Sequence, residues 1–480
     1  MSLRDPRAQV FVLAFLALAI FLGRPRGHGL PSFDDAYYAQ KAVEQLESGG
    51  SWVSTHGGHP RYDNPPLHFW VTAGLYCLFG VSRATAVLAT GLFATGTVLL
   101  TLAFGRALFG AGPTGAVAGL ILVLPGFFMD YARRGMLDQT LVFFTTLALL
   151  ALWRAGDRGL SRWHLVWGLA LGAALLTKSV IGALAMPVAG LALLTGRPRR
   201  LLAPGFWLGV LLGLGLFGLW VLQNARFGGR AFWDEHFAWL ILSRAVHDAG
   251  AEGYGYLLGY LRLLWGNFWP WLPFAAGGIA LALRERRASR PRSALLLCWA
   301  LLPLAIMSLT RNQFLRYVLL IWPALALLSA HALTAMLARR GWEWRGLGLL
   351  LALALVTAAA VDFTPLTLPG AMGLSRHSED VIALAPAVES ECPAGDTLLN
   401  FRLATWEPRN ALLFATGRWL GDPVADVPAL ADSLAATPGR RLLTNGAGAA
   451  RLDSLAPGLT RDLARAGNLV LRAGRSQDSR

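Results

Sequence analysis

Long apolar stretches alternate with short polar ones along most of the chain. Apolar runs near residues 10–23, 84–104, 113–129, 137–153, 163–177, 180–195, 203–222, 257–283, 293–309, 317–337 and 346–361 can each cross a hydrocarbon core of roughly 30 Å, the shorter ones with help from flanking residues. The pattern predicts an all-α polytopic membrane domain over residues 1–361 with about eleven transmembrane helices. One further apolar piece, Leu67–Gly80, follows Pro65 and Pro66 and is too short to span comfortably. After Asp362 the apolar runs shrink to pieces such as Thr397–Phe401, Ala411–Ala415, Leu442–Thr444 and Leu469–Leu471, separated by polar helical stretches such as Ala429–Ala436. That change of period predicts a small α/β soluble domain over residues 362–480.

Composition removes the soluble classes. The 480 residues are 55% hydrophobic and 15% charged, with a mean hydropathy of +0.48. In a soluble chain the formal charge of +15 would point to nucleic acid. Here the arginines cluster in short loops between apolar runs, as membrane topology demands. If Leu67–Gly80 lies at the interface without crossing, every dense cluster falls on one face: Arg4 and Arg7, Arg106, Arg154 with Arg158 and Arg162, Arg197 with Arg199 and Arg200, the 284–292 group, and Arg339, Arg340 and Arg345. If it crosses, the later clusters change sides, against the positive-inside rule. The expectation is therefore an inside N-terminus, with a first outer loop over 24–83 and the C-terminal domain outside. Cys77, Cys298 and Cys392 are far apart in sequence and form neither a metal-ligand spacing nor a disulfide framework.

The candidate chemistry sits on that outer face. Asp34 and Asp35 stand at the mouth of the first span, where ionised groups are costly. Arg133, Arg134, Lys178, Arg226, Arg230, Arg244, Arg311 and Arg316 occupy outer loops or outer span ends, together with Asp138. Cations placed against the topological bias call for an anion, and a phosphate suits them. Lys178, one of only two lysines, lies between two apolar runs in L-L-T-K-S-V-I-G, where a compact ammonium serves as a point charge for phosphate. Paired acids facing such cations suit group transfer from a phosphate-bearing lipid. The same inventory would also serve a lipid-linked substrate transporter or flippase, but its crowding on one face favours an enzyme. His56, His59 and Asp63 share the first loop at a spacing that fits no standard metal motif, so no metal site is assigned.

These stretches carry a resemblance in order. D-D-A-Y-Y-A, the S-G-G-S-W turn, R-Y-D-N-P-P-L-H-F-W, R-R-G-M-L-D, the lysine turn, F-W-D-E-H with Ser243-Arg244, W-P-W and N-Q-F-L-R-Y-V-L-L-I-W-P resemble the GT-C glycosyltransferases related to aminoarabinose lipid A transferases and dolichyl-phosphate-mannose-protein mannosyltransferases. The likeness covers about the first 340 residues.

The resemblance implies an inverting transferase taking a sugar from a polyprenyl-phosphate donor at the outer face of the inner membrane. It implies a lipid A-like or other envelope acceptor, with a protein acceptor as the alternative, and no required cofactor. Asp34 becomes the principal catalytic carboxylate, Asp138 the second acid of the site, and Asp35 the counterpart of a more usual Glu. Lys178, Arg133, Arg134, Arg244, Arg311 and Arg316 become the donor-phosphate set, and Tyr38, Tyr62, Asn64 and His68 the substrate-lining set. The aminoarabinose branch has a lysine before the paired prolines where this chain has Asn64, so Lys178, Arg244, Arg311 or Arg316 is left to supply that charge.

Overall fold

The computed structural model describes residues 3–23, 30, 34–124, 126–243, 258–285, 289–311, 313–363, 376–404, 406–437 and 439–474. Most of the described chain is helical. Helix α1 (Pro6–Leu22) leads to α2 (Asp35–Glu47), a short hairpin of β1 (Ser54–His56) and β2 (His59–Arg61), and α3 (Leu67–Phe79). Next come α4 (Arg83–Phe109), α5 (Thr114–Val123), α6 (Phe127–Ala132), α7 (Asp138–Ala155), α8 (Arg162–Leu175), α9 (Ser179–Ala183), α10 (Ala185–Gly196) and α11 (Pro204–Gly228).

Among the described residues, six helical segments are long and apolar enough to cross a membrane: Arg83–Phe109, Ser179–Gly196, Pro204–Gly228, Arg290–Ser308, Leu315–Ala338 and Glu343–Ala360. The remaining apolar runs are shorter or broken. The 113–129 run stops at Leu124, whose backbone turns extended before Pro125, and restarts after Gly126 as α6. The 257–283 run divides around Pro270, which has no N–H to continue a helix, into Gly259–Asn267 and Leu272–Arg284. Helix α3 has 13 residues and ends at Gly80, whose φ is 78°. At 1.5 Å per residue it reaches about 20 Å, well short of the hydrocarbon core.

Side-chain size decides how the helices meet. Gly168 and Gly172 on α8 lie against Gly209 and Gly213 on α11, and a Cβ at Gly168 would stand 2.7 Å from the Gly209 carbonyl oxygen. Only hydrogen fits there, so the two backbones approach as small-residue membrane helices do. The helix Trp322–Ala338 is the centre of the bundle, with Leu325, Ala326, Leu327, Leu328 and Ala330 all buried. By contrast α11 turns Trp207, Leu211 and Leu222 outward, the apolar face that a span offers to lipid.

After residue 375 helices alternate with short strands, beginning with the helix Arg376–Glu391. Strands β3 (Thr397–Phe401), β4 (Trp419–Val424), β5 (Arg441–Asn445), β6 (Thr460–Ala466) and β7 (Leu469–Gly474) form one sheet in the order β4-β3-β5-β7-β6. Strand β3 is parallel to β4 and β5, while β7 is antiparallel to β5 and β6. Alternate residues feed opposite faces: Leu398 and Leu443 join Leu412 and Leu471 on one side, and Leu399 and Leu442 join Leu430 and Leu452 on the other. The Ala411–Ala415 piece is not a strand but part of the helix Trp406–Thr416, which packs on α2 and so brings the sheet unit onto the first loop.

Candidate active site

Asp34 occupies the N-cap position of α2 without a side-chain capping bond, where exposed amide dipoles favour a carboxylate. Its Oδ2 lies 3.2 Å from the Arg316 guanidinium. Arg316 belongs to a 3-10 turn, Leu315–Ile321, and lies near the rings of Phe314 and Tyr317, 4.7 and 5.8 Å from their centroids. Lys178, in the tight turn between α8 and α9, approaches the same Tyr317 ring at 5.2 Å and bonds Asp138 at 2.7 Å. Two ion pairs from four separate segments are therefore joined through one aromatic ring.

Asp34, Arg316 and Lys178 border a cavity of about 210 Å³. Its charged and amide wall is Asp34, Asp63, Asn64, Lys178 and Arg316, and its aromatic wall is Tyr37, Tyr38, Trp239, Tyr317 and Trp406. Val180, Ile181, Leu240 and Ile241 supply an apolar side. That combination fits a lipid-linked phosphate: cations for the headgroup, hydrocarbon for the chain, and polar edges for a sugar.

The cavity brings together Asp34, Lys178, Arg316, Tyr38 and Asn64 from the expected set. The other expected residues sit elsewhere. Asp138 stands behind Lys178, 1% exposed, with Oδ1 on the ammonium. Asp35 is fully buried off the cavity wall, its charge felt by Arg83 and Arg134. Arg133 lies off the cavity wall and donates to the carbonyls of Ile20 and Gly23 at the end of α1. Arg134 is likewise spent on Asp130 at 2.8 Å, its guanidinium 5.0 Å from the Tyr131 ring centroid. Arg311 is exposed and off the cavity wall, and Arg244 lies outside the described residues. Tyr62 is buried edge-on to Phe232, with its carbonyl bonded to His236 at 2.7 Å, and His68 is buried against the Thr140 hydroxyl at 2.8 Å. Neither lines the cavity.

Asp63 is the acid that sequence reasoning missed. Lys41, with no solvent exposure, bonds its Oδ1 at 2.7 Å, and the Asn64 amide donates to its Oδ2 at 2.7 Å. Burial pushes the Asp63 carboxyl up, but the Lys41 charge and hydrogen bonds from Lys41, Tyr37 and Asn64 outweigh it and hold the group below its ordinary value. Tyr37 moves the opposite way, raised well above the usual phenol by burial and by Asp63. The available signal was helical spacing: Lys41 follows Tyr37 by four residues, so both fall on one face of α2. Among the described residues no group of three or more His, Cys, Asp and Glu side chains is gathered to hold a metal ion.

His56, at the end of β1, is 2% exposed and 4.5 Å from Tyr37 by ring centroids. Burial is the chief cause that pushes its imidazole down from 6.5 to about 4, with Lys41 and Arg61 lowering it further and Glu44 and Asp63 opposing. The folded protein therefore holds His56 neutral where an unfolded chain would protonate it. Its stabilising contribution is complete above about pH 6.5 and is lost as pH falls toward 4, on the order of 3 kcal/mol. Thermal unfolding of the purified protein should show a melting temperature that falls over that window, and His56→Phe should flatten the fall; an equally steep fall in the variant would reject the assignment.

Residues 63–221 match the family described as dolichyl-phosphate-mannose-protein mannosyltransferase. The undecaprenyl phosphate-alpha-4-amino-4-deoxy-L-arabinose arabinosyl transferase of Pseudomonas paraeruginosa is 33% identical over 381 residues, 76% of this chain and 67% of that protein. The Pseudomonas aeruginosa protein of the same name is 34% identical over 382 residues, with the same coverage of 76% and 67%. Among solved structures, ArnT from Cupriavidus metallidurans bound to undecaprenyl phosphate has the same fold, with a TM-score of 0.78 at 19% identity, over 98% of this chain and 100% of that one. The Archaeoglobus fulgidus oligosaccharyltransferase gives 0.56 at 12% identity, over 91% and 68%.

Proposed function

Because this multi-pass membrane chain belongs to the family of undecaprenyl phosphate-aminoarabinose arabinosyl transferases, GT-C glycosyltransferases, we propose that it moves an aminopentose from undecaprenyl phosphate to a lipid A-like acceptor, inverting the anomeric centre. The observation that carries this reading is the cavity holding Asp34 with Arg316 and Lys178 beside an apolar wall. In the transfer, the bond from the sugar's C1 to the donor phosphate oxygen breaks and its electron pair stays on the phosphate. The phosphodiester carries one negative charge and the departing monoester close to two. Arg316 and Lys178 stand where that added charge appears, and preorganised cations stabilise such a transition state more than the ground state. Asp34 faces the developing positive charge of the sugar. It also accepts the proton if the acceptor is a hydroxyl, whereas an ionised phosphate acceptor needs no base.

The proposed setting is the inner membrane, with the cavity and the sheet unit on the outer face. Two observations support it. The helix Trp406–Thr416 packs on α2, which ties the sheet unit to the side of Asp34. Arg197 and Arg200 sit with Asp157 at the α7–α8 and α10–α11 turns, a basic group suited to an inside loop.

Purified protein in sealed proteoliposomes, given radiolabelled undecaprenyl-phosphate aminoarabinose, lipid A and an acceptor peptide, should yield labelled lipid A at a rate that depends on both donor and lipid A. Label recovered only on peptide, or carried across a bilayer without transfer, would refute the proposal in favour of a protein acceptor or a transporter.

A further inference from the structure

Trp406 belongs to the sheet unit, yet its indole forms part of the cavity wall with Asp34, Asp63, Asn64, Lys178 and Arg316. It opens the helix Trp406–Thr416 and remains 38% exposed. Its ring centroid is 4.9 Å from that of Tyr37, tilted by 40°. Tyr37 in turn lies 4.5 Å from His56, and His56 lies 5.7 Å from Trp419 on β4. Four aromatic rings thus run from the cavity across the seam between the first loop and the sheet unit.

The far end of that run is firmly seated. Any Cβ at Gly57 would collide with the Trp419 indole, and Gly57 takes a φ of +63° in the two-residue turn joining His56 to His59. Only glycine meets both demands. Glu44 fixes the turn to α2 by accepting from the Gly57 amide at 2.7 Å. On the sheet side Arg409 lies over Trp419 at 4.8 Å and donates to the Leu420 carbonyl at 2.6 Å. Trp419 seats the seam, while the Trp406 indole, packed on Tyr37, stays partly exposed on the wall of a cavity of charged groups.

A sugar ring fits that exposed face. Its C–H face is weakly positive and suits the negative face of an indole, while its hydroxyls or amine need polar partners at the ring edge. The Tyr37 hydroxyl, the Asp63 carboxylate and the Asn64 amide form that edge. Phosphate and lipid chain already have Lys178, Arg316 and the apolar wall.

Resting on the reading of the cavity as the donor site, we propose that Trp406 is a sugar-recognition residue: the sheet unit closes the donor site by stacking this indole on the sugar carried by undecaprenyl phosphate. Trp406 then discriminates the loaded carrier from the empty one, a distinction the phosphate-binding cations cannot make.

The test compares two ligands in the full-length protein. Trp406→Ala should raise KM for the undecaprenyl-phosphate sugar about tenfold, while the inhibition constant of undecaprenyl phosphate without sugar stays within about twofold. Trp406→Phe should restore most of the loss. Gly57→Val, which unseats the sheet unit while keeping Trp406, should lose the same discrimination. An equal loss for both ligands in Trp406→Ala would mark the indole as packing only and overturn the proposal, as would an unchanged KM. A wild-type protein inactive on the aminoarabinose donor but active on another undecaprenyl-phosphate sugar would fail the donor assignment alone. The Trp406 comparison would then be made with that other sugar.

Discussion

Asp34→Asn is expected to lower kcat by about 10³, within the range for losing a positioned acid–base or electrostatic group, while KM for the donor changes by less than about threefold. Asn keeps the shape at the N-terminus of α2 and can still meet the Arg316 guanidinium through its amide oxygen, so the fold should survive. What disappears is the negative charge facing the reacting carbon. Removing it also leaves Arg316 a stronger cation toward phosphate, which argues against weaker donor binding. Asp35→Asn is the matched control, because that carboxylate is buried off the cavity wall. Its expected cost falls on thermal stability with kcat reduced by less than about tenfold. Initial rates with labelled donor, combined with melting curves for both variants, decide the matter. Comparable kcat losses for the two, or near-normal turnover by Asp34→Asn, would remove Asp34 from the chemistry.

The contrast between these neighbours shows how far sequence could reach. Topology marked both acids as expensive and therefore functional, yet adjacent helical residues point about 100° apart. Here Asp34 faces the cavity and Asp35 turns away from it. The outer cations divide for a related reason. Charge and sidedness are legible in sequence, but the direction of a long side chain is not: Arg133 turns back to free carbonyls at the end of α1, and Arg134 turns to Asp130. Lys178 and Arg316 do face the cavity, and the departure at Asn64 made these two the more necessary. Tyr62 and His68 belong to the motif richest in family likeness, yet they serve packing against Phe232 and Thr140. A motif preserves structural contacts as readily as chemical ones. Trp406 was out of reach altogether, since it is brought to Asp34 by the docking of a separate sheet unit. For the bundle, apolar length announced the membrane class. The breaks after Leu124 and at Pro270 show why run length alone overstates continuous helices.

Lys178 presents the harder case, because in the proposed function it serves stability and donor binding at once. Its partner Asp138 is 1% exposed, with one oxygen on the ammonium and the other without a hydrogen-bond partner among the described residues. Lys178→Met should therefore leave a buried carboxylate uncompensated and destabilise the protein by about 3 kcal/mol or more. It should also cut kcat/KM by about 10², since the departing phosphate loses one of two cations. The single variant cannot separate these effects, but the pair can. Adding Asp138→Asn removes the orphaned charge and should recover most of the melting temperature, while transfer stays about 10² below wild type. Asp138→Asn alone frees the ammonium toward phosphate, so it should retain activity and bind undecaprenyl phosphate at least as tightly as the wild-type protein. Recovery of transfer together with stability in the double variant would make Lys178 the structural counter-ion of Asp138. The donor phosphate would then rest on Arg316 alone.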